Sequence, residues 1–205
     1  DRLRSRGLGD VYKRQIKNLG QRKLRMLKTI KQNILQWWNE LDKKYFLGML
    51  LFSSFVFFPL VSQRLTNAYD GMWTTAEYRA GGWELSNGRW LWPVFSFLRF
   101  SLQLEPINAV VCLMLVSLGV TRLHMLFKPV WMRTSCIDWL AGLCYVSNVV
   151  VRCYLSFHFI APEYGFSLFF AMLATEHVIR GKSAVSSIVP AAVLLALSLG
   201  LYQTN

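Results

Sequence analysis

Long apolar runs with few or no charges recur along the chain, and they restrict its fold more than any other feature. One helix needs about 20 apolar residues to cross a bilayer, because its backbone polar groups must be hydrogen-bonded within the segment. Five runs of roughly this length are present, at 45–62, 107–127, 135–151, 164–179 and 184–203. The sequence therefore predicts an all-α, polytopic helical membrane protein with about five transmembrane helices.

Basic residues are concentrated in three of the segments that flank these runs. Residues 16–44 carry eight Lys or Arg, and residues 128–134 and 180–183 carry two each. Because Lys and Arg are retained on the cytoplasmic side, this bias predicts a multi-pass protein of the cytoplasmic (inner) membrane with a cytoplasmic N-terminus. Residues 63–88 and 152–163 then face outward. The net charge of +12 thus has a membrane explanation, and no nucleic-acid partner is expected.

The first segments of the chain differ from the rest. Residues 1–15 include SRGLGDVYKRQ, which resembles the translation of a sequencing-library adapter and is interpreted as an artefact. Residues 16–44 are a basic amphipathic segment with apolar residues at helical spacing, expected to lie on the cytoplasmic lipid surface. Residues 45–205 are interpreted as a partial multi-span membrane domain of a longer protein.

Residues 89–104 are aromatic and apolar, but they contain Pro93 and Arg99. If this segment crossed the membrane, the basic residues of 128–134 and 180–183 would lie outside, against the charge bias. We therefore expect this segment to be an outer interfacial helix or a re-entrant piece.

The outward loop 63–88 and the residues just after it hold the main candidates for a site. A carboxylate just beyond a span can act as a base on a hydroxyl group. An arginine can hold a phosphate through its forked donors, and tryptophan offers a flat face to a sugar ring or a prenyl chain. The candidates are Asp70, Glu77, Arg79, Trp83, Glu84, Arg89 and Trp90. The alternative is that the tryptophans belong to the interfacial belt and that the acids are merely solvated.

A second outward candidate is the stretch 152–163, with Arg152 and His158. Arg152 can equally snorkel from a span end, and His158 can equally be a surface histidine. No metal site is expected, because the histidines lie on separate segments, although a divalent metal is left open. No other cofactor is expected, because the chain lacks a Gly-rich phosphate loop, HExxH and a nucleophile elbow. The four cysteines are expected to be packing residues.

Four short motifs occur in an order and spacing that resemble a known family. They are YDGMW, GGWELSNGRWLWP, LSFHFIAPEYG and LSLGLYQTN, and the most specific pieces are Gly88-Arg89-Trp90 and Gly200-Leu201-Tyr202-Gln203. Over residues 45–205 the chain resembles bacterial membrane glucosyltransferases of the O-antigen-modifying type, the glucosyl transferase II family. The resemblance implies a GT-C-like fold. It also implies transfer of glucose, or a similar hexose, from a polyprenyl phosphate to a surface glycan or its lipid-linked precursor at the outer face.

The resemblance places the functional acid in the first outward loop, at Asp70. Many family members have two adjacent acids there, whereas this chain has Tyr69-Asp70, which puts a paired-carboxylate role in doubt. Family members are also longer, so the chain could hold part of a site without activity of its own.

The resulting hypothesis is that Asp70 accepts the proton of the acceptor hydroxyl, or orients it, and that Arg89 lies near the leaving phosphate. Glu77 or Glu84 would assist, Arg79 is a weaker phosphate candidate, and Arg152 and His158 would line a second wall. The partners implied are the lipid-linked donor, the glycan acceptor and the bilayer.

Alternatives are a transporter or flippase for lipid-linked sugars, a glycan polymerase and a structural membrane subunit. A transporter predicts internal repeats and ionisable residues at mid-membrane, which the sequence lacks.

Overall fold

The computed structural model describes residues 2–63, 79–100, 102, 104–128, 135–181 and 183–202, without the side chains of residues 2–20, 135, 184 and 186. Every regular element in these ranges is a helix, which confirms the all-α prediction. The helices are α1 (Arg2–Glu40), α2 (Lys43–Ser62), α3 (Gly82–Ser86), α4 (Trp92–Leu98), α5 (Ile107–Phe127), α6 (Ser135–Val146), α7 (Val149–Ser156), the 3-10 turn η1 (His158–Ile160), α8 (Ala161–Arg180) and α9 (Ala184–Leu201).

The chain divides into two compact units, residues 1–41 and residues 42–205. The first unit is α1, which includes the predicted amphipathic segment. Its apolar side chains at helical spacing, such as Leu27, Ile30 and Ile34, are exposed. A helix with this pattern is suited to a lipid surface, and that location stays a prediction. The second unit begins at Asp42, whose side chain accepts the Tyr45 N–H and caps α2.

Three stretches of the described residues are helical, long and apolar enough to cross a membrane: Lys43–Ser62, Ile107–Phe127 and Cys136–Ser156. The prediction of a helical membrane protein is confirmed by them. Helix α9 contains a shorter apolar stretch, Ser187–Leu201. Helix α8 has 20 residues but carries several charged ones. The number of five spans therefore stays a prediction.

The third of these stretches runs to Ser156, beyond the predicted limit of 151, and it is broken near its middle. Helix α6 ends at Val146, and the Asn148 side chain accepts the N–H groups of Val150 and Val151 to begin α7. An asparagine cap supplies acceptors to the first N–H groups of a helix, so the helix restarts at this point. Arg152, predicted in an outward polar stretch, consequently lies within α7.

The segment 89–104 contains α4, which has seven residues. At about 1.5 Å of rise per residue, seven helical residues extend roughly 10 Å, a third of the hydrocarbon core. Helix α4 therefore does not cross a membrane by itself. The interfacial placement of this segment stays a prediction.

The core is built where α8 packs between α5 and α9, and α2 and α6 pack on the other side of α5. Helices α5 and α8 run in the same direction and approach closely at Gly165, where a Cβ atom would lie 3.0 Å from the Cys112 Cα. Cys112 is buried there, as predicted, whereas Cys136, Cys144 and Cys153 are exposed. The packing prediction is wrong for these three, because their side chains lie on the outer surface of α6 and α7.

One end of the bundle, here called the basic end, brings together the start of α2, the end of α5 and the start of α6. Tyr45 stacks on His124 at 3.9 Å between ring centroids and donates its hydroxyl hydrogen to the Asp138 carbonyl at 2.9 Å. Lys128 lies 3.8 Å from the Asp42 carboxylate. The opposite end, called the aromatic end, contains the starts of α5 and α8 and the ends of α7 and α9.

A buried ion pair joins α5 to α8 near the basic end. The Arg122 guanidinium donates two hydrogen bonds to the Glu176 carboxylate, and Arg180 lies 3.3 Å from the same group. The side chains of Arg122 and Glu176 are only 4% and 10% exposed. A buried charge deprived of its partner is costly, so each of the two requires the other.

We expect Glu176→Gln to lower the free energy of unfolding by about 3 to 5 kcal/mol, because it leaves Arg122 buried without a countercharge. Lys128→Gln, which removes a solvent-exposed pair, should cost at most about 1 kcal/mol. Denaturation of the purified protein in mild detergent measures both. Replacing both partners, as in Arg122→Met with Glu176→Leu, should recover most of the loss. Equal costs for the buried and the exposed pair would contradict this account.

Candidate active site

The segment 79–92 folds into a compact loop around a buried carboxylate. Glu84 is buried, and its Oε2 accepts the Gly81 N–H at 2.6 Å, which caps the short helix α3. Gly88 follows α3 with a φ of 75°, a left-handed conformation that favours glycine. The Arg89 N–H then donates to the Glu84 carbonyl at 2.9 Å. The Arg89 backbone is therefore held in place by the loop itself.

This loop is attached to the end of α9. The Leu91 N–H donates to the Gly200 carbonyl at 2.9 Å, and the Trp92 indole N–H donates to the Leu201 carbonyl. The Trp90 ring lies against Gly200, where a Cβ atom would meet the Trp90 Cε2 at 2.5 Å. The two most specific motifs of the sequence, at 88–90 and 200–203, thus meet in the structure through their described residues.

The guanidinium of Arg89 lies over aromatic rings. Its Cζ is 4.5 Å from the ring centroid of Trp92, 5.5 Å from that of Trp83 and 5.9 Å from that of Tyr202. In the part of the chain that the structure describes, no carboxylate lies within 4.0 Å of Arg89, and its buried Nε has no hydrogen-bond partner. Aromatic faces attract a cation without neutralising it, so this arginine can still bind an anion.

Three tyrosines from separate elements pack together, and one of them, Tyr202, lies beside this arginine. The Tyr164 ring on α8 is 4.8 Å from that of Tyr202 and 4.9 Å from that of Tyr154 on α7. The Trp92 ring completes the group, with its centroid 6.4 Å from that of Tyr164. We call Trp83, Trp92, Tyr154, Tyr164 and Tyr202 the aromatic cluster. Because its members come from the 79–92 loop, α7, α8 and the end of α9, the cluster is a product of tertiary packing.

A second polar group lies at the same end of the bundle. Arg99 is 2.9 Å from the Glu163 carboxylate and also donates to the Phe159 carbonyl. The Asn108 side chain donates to the His158 carbonyl at 3.1 Å. Glu163 precedes the predicted fourth span. Burial raises the pKa of Glu163 to about 7, and the nearby Arg99 charge opposes this rise. A buried carboxyl with a raised pKa is a recognised feature of functional sites, although structural ion pairs also produce it.

The comparison with known families concerns this same part of the chain. A family model described as glucosyl transferase GtrII matches residues 65–205, which include the 79–92 loop and every member of the aromatic cluster. The chain belongs to the glucosyl transferase GtrII family. No curated protein and no solved structure matches the chain. The family is one of glucosyltransferases that act on glycans, and the membrane helices make this chain a membrane member of it.

The structure brings together three of the predicted site residues of this GtrII family member. Arg89 contacts the Trp83 ring, and Trp90 anchors the same loop to α9. The Glu84 carboxylate accepts the backbone N–H that it caps at the start of α3, so Glu84 holds the backbone of the loop in place. Arg79 is exposed where the described part of the loop begins. Asp70 and Glu77 fall outside the described residues, although both lie within the family match.

The two residues of the predicted second wall lie in different surroundings. His158 is buried in η1, so the interpretation as a surface histidine is wrong. Arg152 is exposed on α7, and within the described ranges it takes no part in the ring contacts or ion pairs that surround Arg89. In the described ranges, no group of three or more His, Cys, Asp or Glu is placed to hold a metal ion.

The sequence reasoning identified Trp83 but missed the other four members of the aromatic cluster and the Arg99–Glu163 pair. A signal for three of the four was present, because Trp92 lies in GGWELSNGRWLWP, Tyr164 in LSFHFIAPEYG and Tyr202 in LSLGLYQTN. Tyr154 had no distinguishing local signal in a chain that is 15% aromatic.

We expect Gly200→Ala to displace the Trp90 ring and to lower the free energy of unfolding by about 1 to 3 kcal/mol, as overpacking does. Adding Trp90→Ala should relieve the collision and restore part of this stability. The measurement is thermal unfolding in detergent, with Gly82→Ala as the control, because nothing lies within 4 Å of a Cβ at Gly82. If the double variant were no more stable than Gly200→Ala, the contact between the two motifs would not be as described.

Proposed function

We propose that this protein moves glucose, or a similar hexose, from a polyprenyl phosphate to a cell-surface glycan at the outer face of the cytoplasmic membrane. The observation that carries the proposal is the position of Arg89 at the aromatic end of the bundle, over Trp83, Trp92 and Tyr202 and without a carboxylate partner among the described residues. The family match supplies the class of reaction.

The location of Arg89 relative to the basic residues supports this choice of side. Helix α5 has 21 residues and extends roughly 30 Å, so the two ends of the bundle are separated by about the thickness of the hydrocarbon core. Lys43, Lys44 and Lys128 lie at the basic end, which the charge bias assigns to the cytoplasm. The aromatic end, with Arg89, then faces outward.

In the proposed reaction Arg89 binds the phosphate of the donor. A guanidinium offers several N–H donors in a fixed plane, and this geometry matches phosphate oxygens. A phosphate at the lipid surface requires such a partner, because an unpaired charge near hydrocarbon is costly. The neighbouring aromatic rings restrict the movement of the guanidinium. Trp83 and Trp90 are 65% and 50% exposed, and they offer apolar faces to the sugar or to the prenyl chain.

The acceptor side of the proposed reaction uses Asp70. The acceptor hydroxyl oxygen attacks the anomeric carbon, the bond from that carbon to the phosphate oxygen breaks, and polyprenyl phosphate leaves with the bonding electrons. The proton of the hydroxyl passes to the Asp70 carboxylate, a general-base role. Glu77, Arg79, Arg152 and His158 are retained as supporting residues. Glu84 contributes by fixing the loop that carries Arg89.

We expect Arg89→Gln, in the protein expressed from its complete reading frame, to lower kcat/KM for sugar transfer by roughly 10- to 100-fold. This range corresponds to the loss of one or two charge-assisted hydrogen bonds. Arg89→Lys should retain part of the activity, because lysine keeps the charge but loses the forked geometry. The assay follows labelled sugar from polyprenyl phosphate to glycan in membranes, with the exposed Lys43→Gln as control.

Asp70→Asn should reduce the rate of the same reaction by about 10²- to 10⁴-fold, the usual contribution of a general base. Donor binding should be unchanged, so the loss appears in kcat. A wild-type rate in Asp70→Asn would exclude the assigned role of this residue. Movement of the labelled donor across the membrane without its consumption would instead identify a transporter.

A further inference from the structure

The basic end of the bundle contains two adjoining cavities that the proposed sugar transfer does not use. One has a volume of about 330 Å³ and the other of about 160 Å³. Both are lined by Tyr45, His124, Lys128 and Asp138. They therefore adjoin at the end of the bundle away from Arg89, and together they are called the recess.

The larger cavity is lined by charged groups of both signs. Lys44 and Lys128 supply two ammonium groups, and Asp42 and Asp138 supply two carboxylates. Lys44 is exposed, and Lys128 lies 3.8 Å from Asp42 with its side chain 58% exposed. The lysines can therefore reorient toward a ligand without breaking a buried pair.

The smaller cavity adjoins the larger, charged cavity, and it is an apolar space between α5 and α6. Val120, Leu123 and Phe127 line it from α5, and Ala141 and Tyr145 line it from α6. Both helices contribute to stretches that are long and apolar enough to cross a membrane. An apolar space between two such helices can accept part of an acyl chain.

We propose that this recess binds a phospholipid whose headgroup carries both a phosphate and a primary ammonium group, such as an ethanolamine phospholipid. Lys44 and Lys128 bind the phosphate, Asp42 and Asp138 accept hydrogen bonds from the ammonium group, and the start of an acyl chain enters the apolar space. Pockets with basic residues between membrane helices on the cytoplasmic side are recognised sites for lipid headgroups. The two carboxylates oppose a purely anionic headgroup, and this opposition selects the zwitterionic one.

The headgroup specificity follows from hydrogen bonding. A primary ammonium has three donors, and a charge-assisted hydrogen bond to a carboxylate is stronger than a neutral one. A trimethylated ammonium has no donor, and a glycerol headgroup has no positive charge. The recess should therefore prefer the ethanolamine headgroup over both choline and glycerol headgroups.

The test is native mass spectrometry of the complete protein released from nanodiscs that contain equal amounts of ethanolamine, choline and glycerol phospholipids. We expect the retained lipid to be enriched in the ethanolamine form by roughly tenfold, because this is about the preference that one charge-assisted hydrogen bond provides. Asp138→Asn should reduce this preference over the glycerol lipid, and Lys44→Gln should lower the retention of every lipid. The matched control is the neighbouring Lys43→Gln, because Lys43 does not line either cavity.

A second pair of variants tests the apolar half without changing a charge. Ala141→Trp should fill the smaller cavity and lower lipid retention, while Leu140→Trp, at an exposed position outside the lining, should not. Phosphoethanolamine and inorganic phosphate, added as competitors, separate a lipid site from a headgroup or phosphate site. Displacement by inorganic phosphate alone would overturn the lipid assignment. Equal retention of the three lipids, or equal losses in Lys44→Gln and Lys43→Gln, would overturn the site itself.

Discussion

The last carbonyl groups of α9 have no partners within their own helix, and the arrangement of the aromatic end depends on how they are satisfied. A helix always leaves its final carbonyls without intrahelical donors, and in a chain surrounded by lipid this is costly. Here the 79–92 loop supplies two of the missing donors, the Leu91 N–H and the Trp92 indole N–H. The same contacts place Arg89 beside Tyr202, so the end of the helix and the candidate site are stabilised together.

Three buried or half-buried arginines of the bundle differ in their partners. Arg122 and Arg99 are paired with buried glutamates and join separate elements, which is a structural use of charge. Arg89 instead contacts aromatic rings and retains a charge that is not matched within the described part of the chain. Burial of an arginine is therefore a poor guide to function in this protein, whereas the nature of its partner is informative.

The fold could be predicted largely from the distribution of apolar residues, because a helix in lipid is the simplest way to satisfy the backbone. The motifs at 88–90 and 200–203 were also recognised, but their contact could not be, since they are separated by more than a hundred residues of sequence. The burial of His158 likewise depends on residues distant in sequence, such as Asn108, whereas the cap made by Glu84 is local, because Gly81 is three residues away. Local sequence shows which side chains are polar, while tertiary packing decides whether they face solvent, a helix end or each other. The third span was predicted to end before the charged Arg152, whereas α7 continues past this residue to Ser156.

Because the helix is interrupted at Asn148, the two ends of that span are held by separate contacts and can move independently. Helix α6 is held at the basic end by the bond from Tyr45 to the Asp138 carbonyl, whereas Tyr154 on α7 packs in the aromatic cluster. Since the backbone hydrogen-bond ladder restarts between them, a rigid rotation of α6 is not forced upon α7. The basic end and the aromatic end are thereby mechanically uncoupled along this element, so a movement of α6 need not disturb the rings of the aromatic cluster.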